Sequence, residues 1–383
     1  FDGIGFANKV INAGATAILC SKEGFKKVKN EKINLLVSKN IRLSLAHISK
    51  KFYPKQPRNV VAITGTNGKT SIAYYLNLLW KKNNYKSGTI GTLGLKYLNT
   101  TKDTKLTTPN PIMLHKQLNL LSNKKINYIA LEASSHALDQ HRIDGVKIDC
   151  AVYTNLSRDH LDYHKNFYNY FLAKQRLFSE LLEKDGTAIV NINDRYGLKI
   201  QRVCIKRKIK TITYGKLDAD WSILKVEKKN YNNIVYIKNK KSVYSFISPI
   251  FAKYQLENIL CSIIIAKKYG ITLKNIFKNL QSIPSPPGRL KKIINHKAKS
   301  NIFIDYAHTP IALEKSLLEL KNIKSKNGKL MILFGCGGDR DKGKRRLMAK
   351  VAKKYADIVF ITDDNPRFED ASNIRKELIE HCK

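Results

Sequence analysis

Val60-Val61-Ala62-Ile63-Thr64-Gly65-Thr66-Asn67-Gly68-Lys69-Thr70-Ser71 runs from an apolar stretch through two glycines into a cation and two hydroxyls. The β-branched start reads as a buried strand, and the apolar-periodic segment Ile72 to Trp80 that follows reads as a helix. Between them, Gly65 and Gly68 let backbone N–H groups approach phosphate oxygens. Lys69 supplies positive charge, and the Thr70 hydroxyl can reach Mg²⁺. Ile63 stands where the eight-residue phosphate-loop pattern has its first glycine, so this is a shortened form of that loop. The stretch predicts a nucleoside triphosphate site on a strand–loop–helix unit.

The same pattern recurs outward from it. Tyr128 to Leu131, Cys150 to Tyr153, Ala188 to Val190 and Lys210 to Thr213 read as further buried strands separated by longer amphipathic stretches. This predicts an α/β fold with a mainly parallel sheet. From Trp221 to Phe246 the segments shorten and alternate, which predicts a local antiparallel excursion. Pro54 and Pro57 mark one boundary, and Pro284, Pro286 and Pro287 another. The expected units are a small N-terminal piece (1–56), a central nucleotide-binding unit (57–285) and a last α/β unit (286–383). In the last unit, Ile302 to Ile304, Leu330 to Phe334 and Ile358 to Ile361 read as strands.

Composition bounds the function class. The 383 residues are 43% hydrophobic, enough for ordinary cores. No apolar run approaches the roughly 20 residues a spanning helix needs. The six scattered cysteines include no CxxC pair and suit reduced thiols, so a cytoplasmic protein is expected. The net charge of +40 admits a polyanion partner. Lysines spread along the whole chain, with only short runs such as Lys206 to Lys210 and Lys238 to Lys241, favour compositional drift instead, and no nucleic-acid module is recognisable.

Polar loops follow the predicted strands, where open α/β sheets bind ligands. Glu132 in Leu131-Glu132-Ala133-Ser134-Ser135-His136 offers the oxygen that Mg²⁺ selects, or is simply an exposed turn. Asn155 to His164 is either a metal shell or a polar loop. Lys174 falls on the apolar stripe of Phe167, Phe171, Phe178 and Leu181. It either snorkels to the surface or is a desolvated, reactive amine. Phe334 to Arg346 joins glycines to dense cations as an anion-binding loop. In Asp363 to Arg367, Arg367 can hold a carboxylate and Asp364 an ammonium, a combination that suits an amino acid.

In order along the chain, Asp2-Gly3, Gly14-Ala15, GTNGKTS (65–71), TTP (107–109), SSHALDQHR (134–142), TNLSRDHLDYH (154–164), DYAHTP (305–310), GCGGDRDKGKR (335–345) and DNPR (364–367) resemble the Mur ligase family. The resemblance implies a three-domain architecture, with a P-loop ATPase-like parallel-sheet centre and a Rossmann-like C-terminal domain. It implies an ATP-dependent amide-bond ligase of peptidoglycan synthesis. From the composition and the absence of a binding module, no nucleic acid and no membrane insertion are expected, and the chain is expected to be a monomer. Gly65, Thr66, Asn67, Gly68, Lys69, Thr70 and Ser71, with Asn258, Arg289 and Asp305, match positions that hold ATP. Thr70, Glu132, His160 and Lys174 match the magnesium surroundings. Lys174 matches a family lysine that takes up CO₂ as a carbamate. Thr107, Thr108, Ser134, Gln140 and Arg142 match contacts to UDP-N-acetylmuramoyl-L-Ala-D-Glu. Arg340, Asp364, Asn365, Pro366 and Arg367 match a meso-diaminopimelate pocket, and DNPR favours that amino acid over L-lysine. The implied reaction passes through an acyl phosphate.

The sequence departs from the family pattern at Gln255, Lys291, Ile311 and Arg346, which stand for Asn, Glu, Asp and Pro. Against the family, both ends are expected to be cut short: the N-terminal domain begins before Phe1, and the C-terminal one continues past Lys383 to a GKGHE-type segment. A basic P-loop ATPase acting on nucleic acid is the competing reading. Folylpolyglutamate synthases share the P-loop and lysine logic but have no reason to carry QHR or DNPR.

Overall fold

The computed structural model describes residues 3–28, 33–229, 232–240, 242–250, 252–293 and 300–382. Asp2, Lys241 and Lys383, which belong to stretches named above, lie outside the described residues.

Two short parallel strands, β1 (Ala17–Cys20) and β2 (Asn34–Val37), form the N-terminal piece. The main sheet is built from β3 (Asn59–Thr64), β4 (Ser87–Gly91), β5 (Gly94–Tyr97), β6 (Thr100–Lys102), β7 (Tyr128–Glu132), β8 (Ile148–Tyr153), β9 (Leu182–Asn191), β10 (Lys210–Gly215), β11 (Trp221–Lys229), β12 (Asn232–Asn239) and β13 (Ser242–Ser248). These eleven strands lie in the order β13-β12-β11-β10-β9-β8-β3-β7-β4-β5-β6. β3 sits between β7 and β8, with Ala62 opposite both Leu131 and Ala151. Its residues Val60 to Ile63 are fully buried, as expected for a central parallel strand covered on both faces.

The strands from β4 across to β11 pair in parallel, and hairpins add β5 and β6 at one edge and β12 and β13 at the other. The antiparallel excursion expected after Trp221 is therefore present. Along β12, Val235 and Ile237 point inward while their neighbours stay more exposed. That alternation is what a sheet with one covered face demands.

Two apolar layers close the sheet. On one face, helix α1 (Lys69–Lys82) packs against helix α3 (Lys253–Lys268) through Tyr75, Leu76, Leu79, Leu256, Ile259 and Ile263. On the other face, helix α2 (Phe167–Arg176) contributes Tyr170 and Phe171, and Leu114, Leu118 and Phe178 join them. Each such buried side chain contributes roughly 1.5–3 kcal/mol.

The last unit holds β14 (Lys291–Lys292) antiparallel to β15 (Phe303–Ile304), and β16 (Met331–Phe334) parallel to β17 (Ile358–Ile361). Leu313, Leu317, Met348, Ala349 and Leu378 form its core, with helix α4 (Gly343–Tyr355) supplying two of them. The expected strands are present, but Met331, Leu333 and Phe360 are exposed.

Candidate active site

The phosphate loop is shaped by contacts to the loop after β8. Gly65 (φ +146°) and Gly68 (φ +94°) have backbone angles that side chains disfavour. A Cβ on Gly65 would fall 1.8 Å from Thr154 Oγ1. Thr66 N–H donates to the Asn155 carbonyl (2.9 Å), and Asn67 N–H donates to Asn155 Oδ1 (3.0 Å). The Thr154 hydroxyl in turn donates to the Asn67 carbonyl (2.6 Å). Lys69 Nζ donates to the carbonyls of Gly65 (2.8 Å) and Thr66 (2.9 Å). Burial lowers the Lys69 pKa against the opposing pull of Glu132 and Asp159.

Beside this loop lies an oxygen-rich corner. The Glu132 side chain is buried and accepts from the Thr70 hydroxyl (2.8 Å), from Thr92 N–H (2.8 Å) and from the Thr92 hydroxyl (3.2 Å). A Cβ on Gly91 would meet Glu132 Oε1 at 2.2 Å, so the glycine makes room for the carboxylate. The exposed-turn alternative for Glu132 does not hold.

Lys174 is 1% exposed, with Nζ 4.3 Å from the centre of the Tyr170 ring. It makes no ion pair among the described residues, and it does not snorkel. Burial and then the charge of Lys69 push its pKa well below the lysine range. The helix changes to a π turn at Leu177–Leu181, just beyond it. His160 lies nearby with a left-handed backbone and a buried Nδ1 that has no hydrogen-bond partner. Burial brings its pKa down to about 3, so its imidazole is neutral near pH 7.

Among the described residues no group of three or more His, Cys, Asp or Glu could hold a metal by itself. Mg²⁺ does not require one, because it is bound through one or two carboxylates, waters and substrate phosphates. Thr70 and Glu132 beside a phosphate loop fit that donor set.

The central loops continue the network. The Thr108 hydroxyl donates to the Glu132 carbonyl (2.6 Å) and accepts from Ser134 N–H (3.1 Å). Arg142 donates to the Thr108 carbonyl (3.0 Å) and twice to Gln140 Oε1 (2.6 and 3.1 Å). From the other side, Arg289 Nη2 reaches Thr70 Oγ1 (3.4 Å). Asp305 accepts from Leu290 N–H (2.7 Å) and from the Tyr254 hydroxyl (3.0 Å). Burial raises the Asp305 pKa. Gln255 accepts from Asn258 Nδ2 (3.0 Å), so the longer side chain still engages its helical neighbour.

One cavity of about 500 Å³ is lined by Thr66 to Ser71, Thr107, Glu132, Ser134, His160, Lys174, Asn258, Arg289, Asp305, Arg340, Asp364 and Arg367. Gly65, Thr108, Gln140, Arg142, Asn365 and Pro366 do not line it and shape its walls instead. Asn365 O accepts from Gly338 N–H (2.9 Å), and the Arg367 guanidinium donates to Gly338 O (2.7 Å). Thr92, Tyr254, Asp159 and Arg158 were not singled out from sequence. Only Asp159 and Arg158 lay in a stretch already quoted, and their partners are far away in the chain.

The described geometry sits within a chain that matches two family domains. The Mur ligase middle domain matches residues 63–266, and the Mur ligase glutamate ligase domain matches residues 288–383. The UDP-N-acetylmuramoyl-L-alanyl-D-glutamate–2,6-diaminopimelate ligase of Rickettsia bellii is 38% identical over 99% of this chain and 78% of its own length. The ligase of the same name from Mesorhizobium japonicum is 34% identical over 99% and 77%. A solved structure of a ligase with that name superposes with a TM-score of 0.72 at 30% identity, covering 98% of this chain and 76% of its own. Mycobacterium tuberculosis folylpolyglutamate synthase shares the fold, with a TM-score of 0.74 at 15% identity over 89% and 83%. With a phosphate loop, a carboxylate corner and a buried lysine in one cavity, and with these matches spanning almost its whole length, the chain belongs to the Mur ligase family of ATP-dependent amide-bond ligases.

Proposed function

We propose that this chain joins meso-2,6-diaminopimelate to the D-Glu side-chain carboxylate of UDP-N-acetylmuramoyl-L-alanyl-D-glutamate, using ATP, as a cytoplasmic step of peptidoglycan synthesis. The observation that carries the reading is that one cavity is lined both by Lys69 and Thr70 and by Arg340, Asp364 and Arg367. The names of the relatives point the same way.

The P-loop amides and Lys69 orient the triphosphate, with Asn258, Arg289 and Asp305 holding the nucleoside end. Thr107 and Ser134, braced by Thr108, Gln140 and Arg142, aim the D-Glu carboxylate at the terminal phosphorus. A carboxylate oxygen bonds to that phosphorus as its bond to ADP breaks. The amine of diaminopimelate then attacks the acyl carbon, phosphate leaves and the amine proton is lost. Asp364 takes the ammonium of the incoming amino acid, while Arg340 and Arg367 take its carboxylates. Mg²⁺ near Thr70, Glu132, His160 and Lys174 would offset phosphate charge.

Lys174 is read as the carbamylated residue. Its amine, in the deprotonated form that burial favours, bonds to the carbon of CO₂ and loses a proton, which leaves a carbamate with oxygen donors in the cavity that Glu132 also lines. The burial that lowers its pKa supports this.

Phosphate release with ATP, Mg²⁺ and UDP-N-acetylmuramoyl-L-Ala-D-Glu tests the proposal, comparing meso-diaminopimelate, L-lysine and a polynucleotide. Turnover with diaminopimelate alone supports it. Turnover with lysine instead removes the specificity claim. ATP hydrolysis driven only by polynucleotide moves the reading to a nucleic-acid ATPase.

A further inference from the structure

The loop after β16 carries Arg340, and the residue beside it is clamped by a residue of the central unit. Asp341 accepts two hydrogen bonds from Arg158, at Nε (2.9 Å) and Nη2 (2.9 Å), a bidentate pair between residues 183 apart in sequence. Planar forks of this kind fix orientation as well as distance. The Asp341 side chain is 5% exposed and that of Arg158 39%, so a buried carboxylate is held by a guanidinium whose outer side meets solvent.

The neighbouring residues repeat the arrangement. Asp159, also buried, faces His308 Nε2 (3.5 Å) and Lys344 Nζ (3.8 Å), both from the last unit. Burial alone would raise its pKa, but the bond to His308 and the surrounding cations outweigh it and hold the carboxylate ionised. The backbone is cut to fit: a Cβ on Gly343 would lie 2.4 Å from Arg158 Nη2. Two consecutive residues of the central unit thus receive three residues of the last unit: Asp341 from the loop after β16, Lys344 from the first turn of α4, and His308 from the loop after β15.

Successive Cα atoms lie about 3.8 Å apart, so anchoring Asp341 confines Arg340 to a small arc on the cavity wall. We infer that Arg158 is a positioning residue for amino-acid capture: its pair with Asp341 seats the Arg340 loop over the phosphate site, so the amine arrives only when the cavity is closed. The inference rests on the ligase reading above.

Steady-state kinetics of full-length Arg158→Gln and Asp341→Asn test it. Each single variant is expected to raise the diaminopimelate KM about tenfold, leave the ATP KM within about twofold, and release more phosphate than amide formed. The charge-swapped double variant, Arg158→Glu with Asp341→Arg, should recover most of the lost affinity. Gly343→Ala, which crowds the guanidinium, should reproduce the single variants should these fold poorly. Equal rises in every KM, or a double variant no better than the singles, overturn the inference. No turnover by the unaltered protein would sink the ligase reading instead. In that case faster hydrogen exchange of the 335–343 amides in Arg158→Gln still supports the clamp, and unchanged exchange rejects it.

Discussion

Thr70 and Glu132 are tied directly: the hydroxyl of the first helical turn after the phosphate loop donates to the carboxylate at the end of β7 over 2.8 Å. The contact joins the element that holds phosphate to the one that offers a hard oxygen ligand. Glu132→Gln keeps an acceptor for Thr92 N–H while removing the charge. It should lower kcat by roughly 10²-fold or more, the scale of losing one aimed electrostatic group. Thermal unfolding should shift little. A variant with near-normal kcat would remove Glu132 from the proposed chemistry.

Lys174→Met should fold, because the side chain is buried against the Tyr170 ring and makes no ion pair among the described residues that the substitution would break. It should be inactive, and a short carboxylic acid such as acetate should restore part of the activity to Lys174→Ala. Carbon-13 NMR of the protein in labelled bicarbonate should show a carbamate signal that Lys174→Met lacks. Full activity in CO₂-free buffer with no such signal would reject carbamylation.

Gly65→Ala places a methyl group against Thr154 and forces a backbone angle that alanine avoids. The strain alone costs about 1–3 kcal/mol. Urea unfolding should show that loss, and nucleotide binding measured by calorimetry should fall with it. Unchanged binding would mean that the loop is not shaped by this contact.

Stability should fall with acid in a defined window. Burial lowers His160 to about 3 and His164 to about 4, so both are neutral in the fold at pH values where the unfolded chain protonates them. Between those values and the ordinary histidine pKa of about 6.5, the unfolded state binds more protons, and stability drops as pH drops. His164→Gln should flatten the dependence of the melting temperature on pH from 6.5 to 4. An identical slope would show that His164 does not contribute.

The elements around the phosphate loop were legible because their signals are local. Glycines, a lysine and an apolar run within Val60 to Ser71 specify strand, turn and helix together. Lys174 was legible as an anomaly on an apolar stripe, but only its burial decides between surface and interior. The Arg158–Asp341 pair was not legible, since nothing near either residue encodes a partner 183 positions away. Thr92 was hidden for a different reason: the shorter of its two bonds to Glu132 comes from its backbone N–H, which every residue but proline carries, and its hydroxyl stands in no recognisable pattern. The strands of the last unit were readable from their apolar runs, but the exposure of Met331, Leu333 and Phe360 was not, because a run of apolar residues does not say which faces are covered.

The position of β3 between β7 and β8 sets a schedule for the growing chain. Its phosphate loop is translated before Thr154 and Asn155, which give that loop its shape. ATP has no preformed cradle to bind until residue 155 has been added and the strands have docked. A ligand that binds only the assembled unit stabilises it by mass action. A nucleotide held by this loop therefore favours the completed central unit and has nothing to stabilise in chains that stop before Asn155.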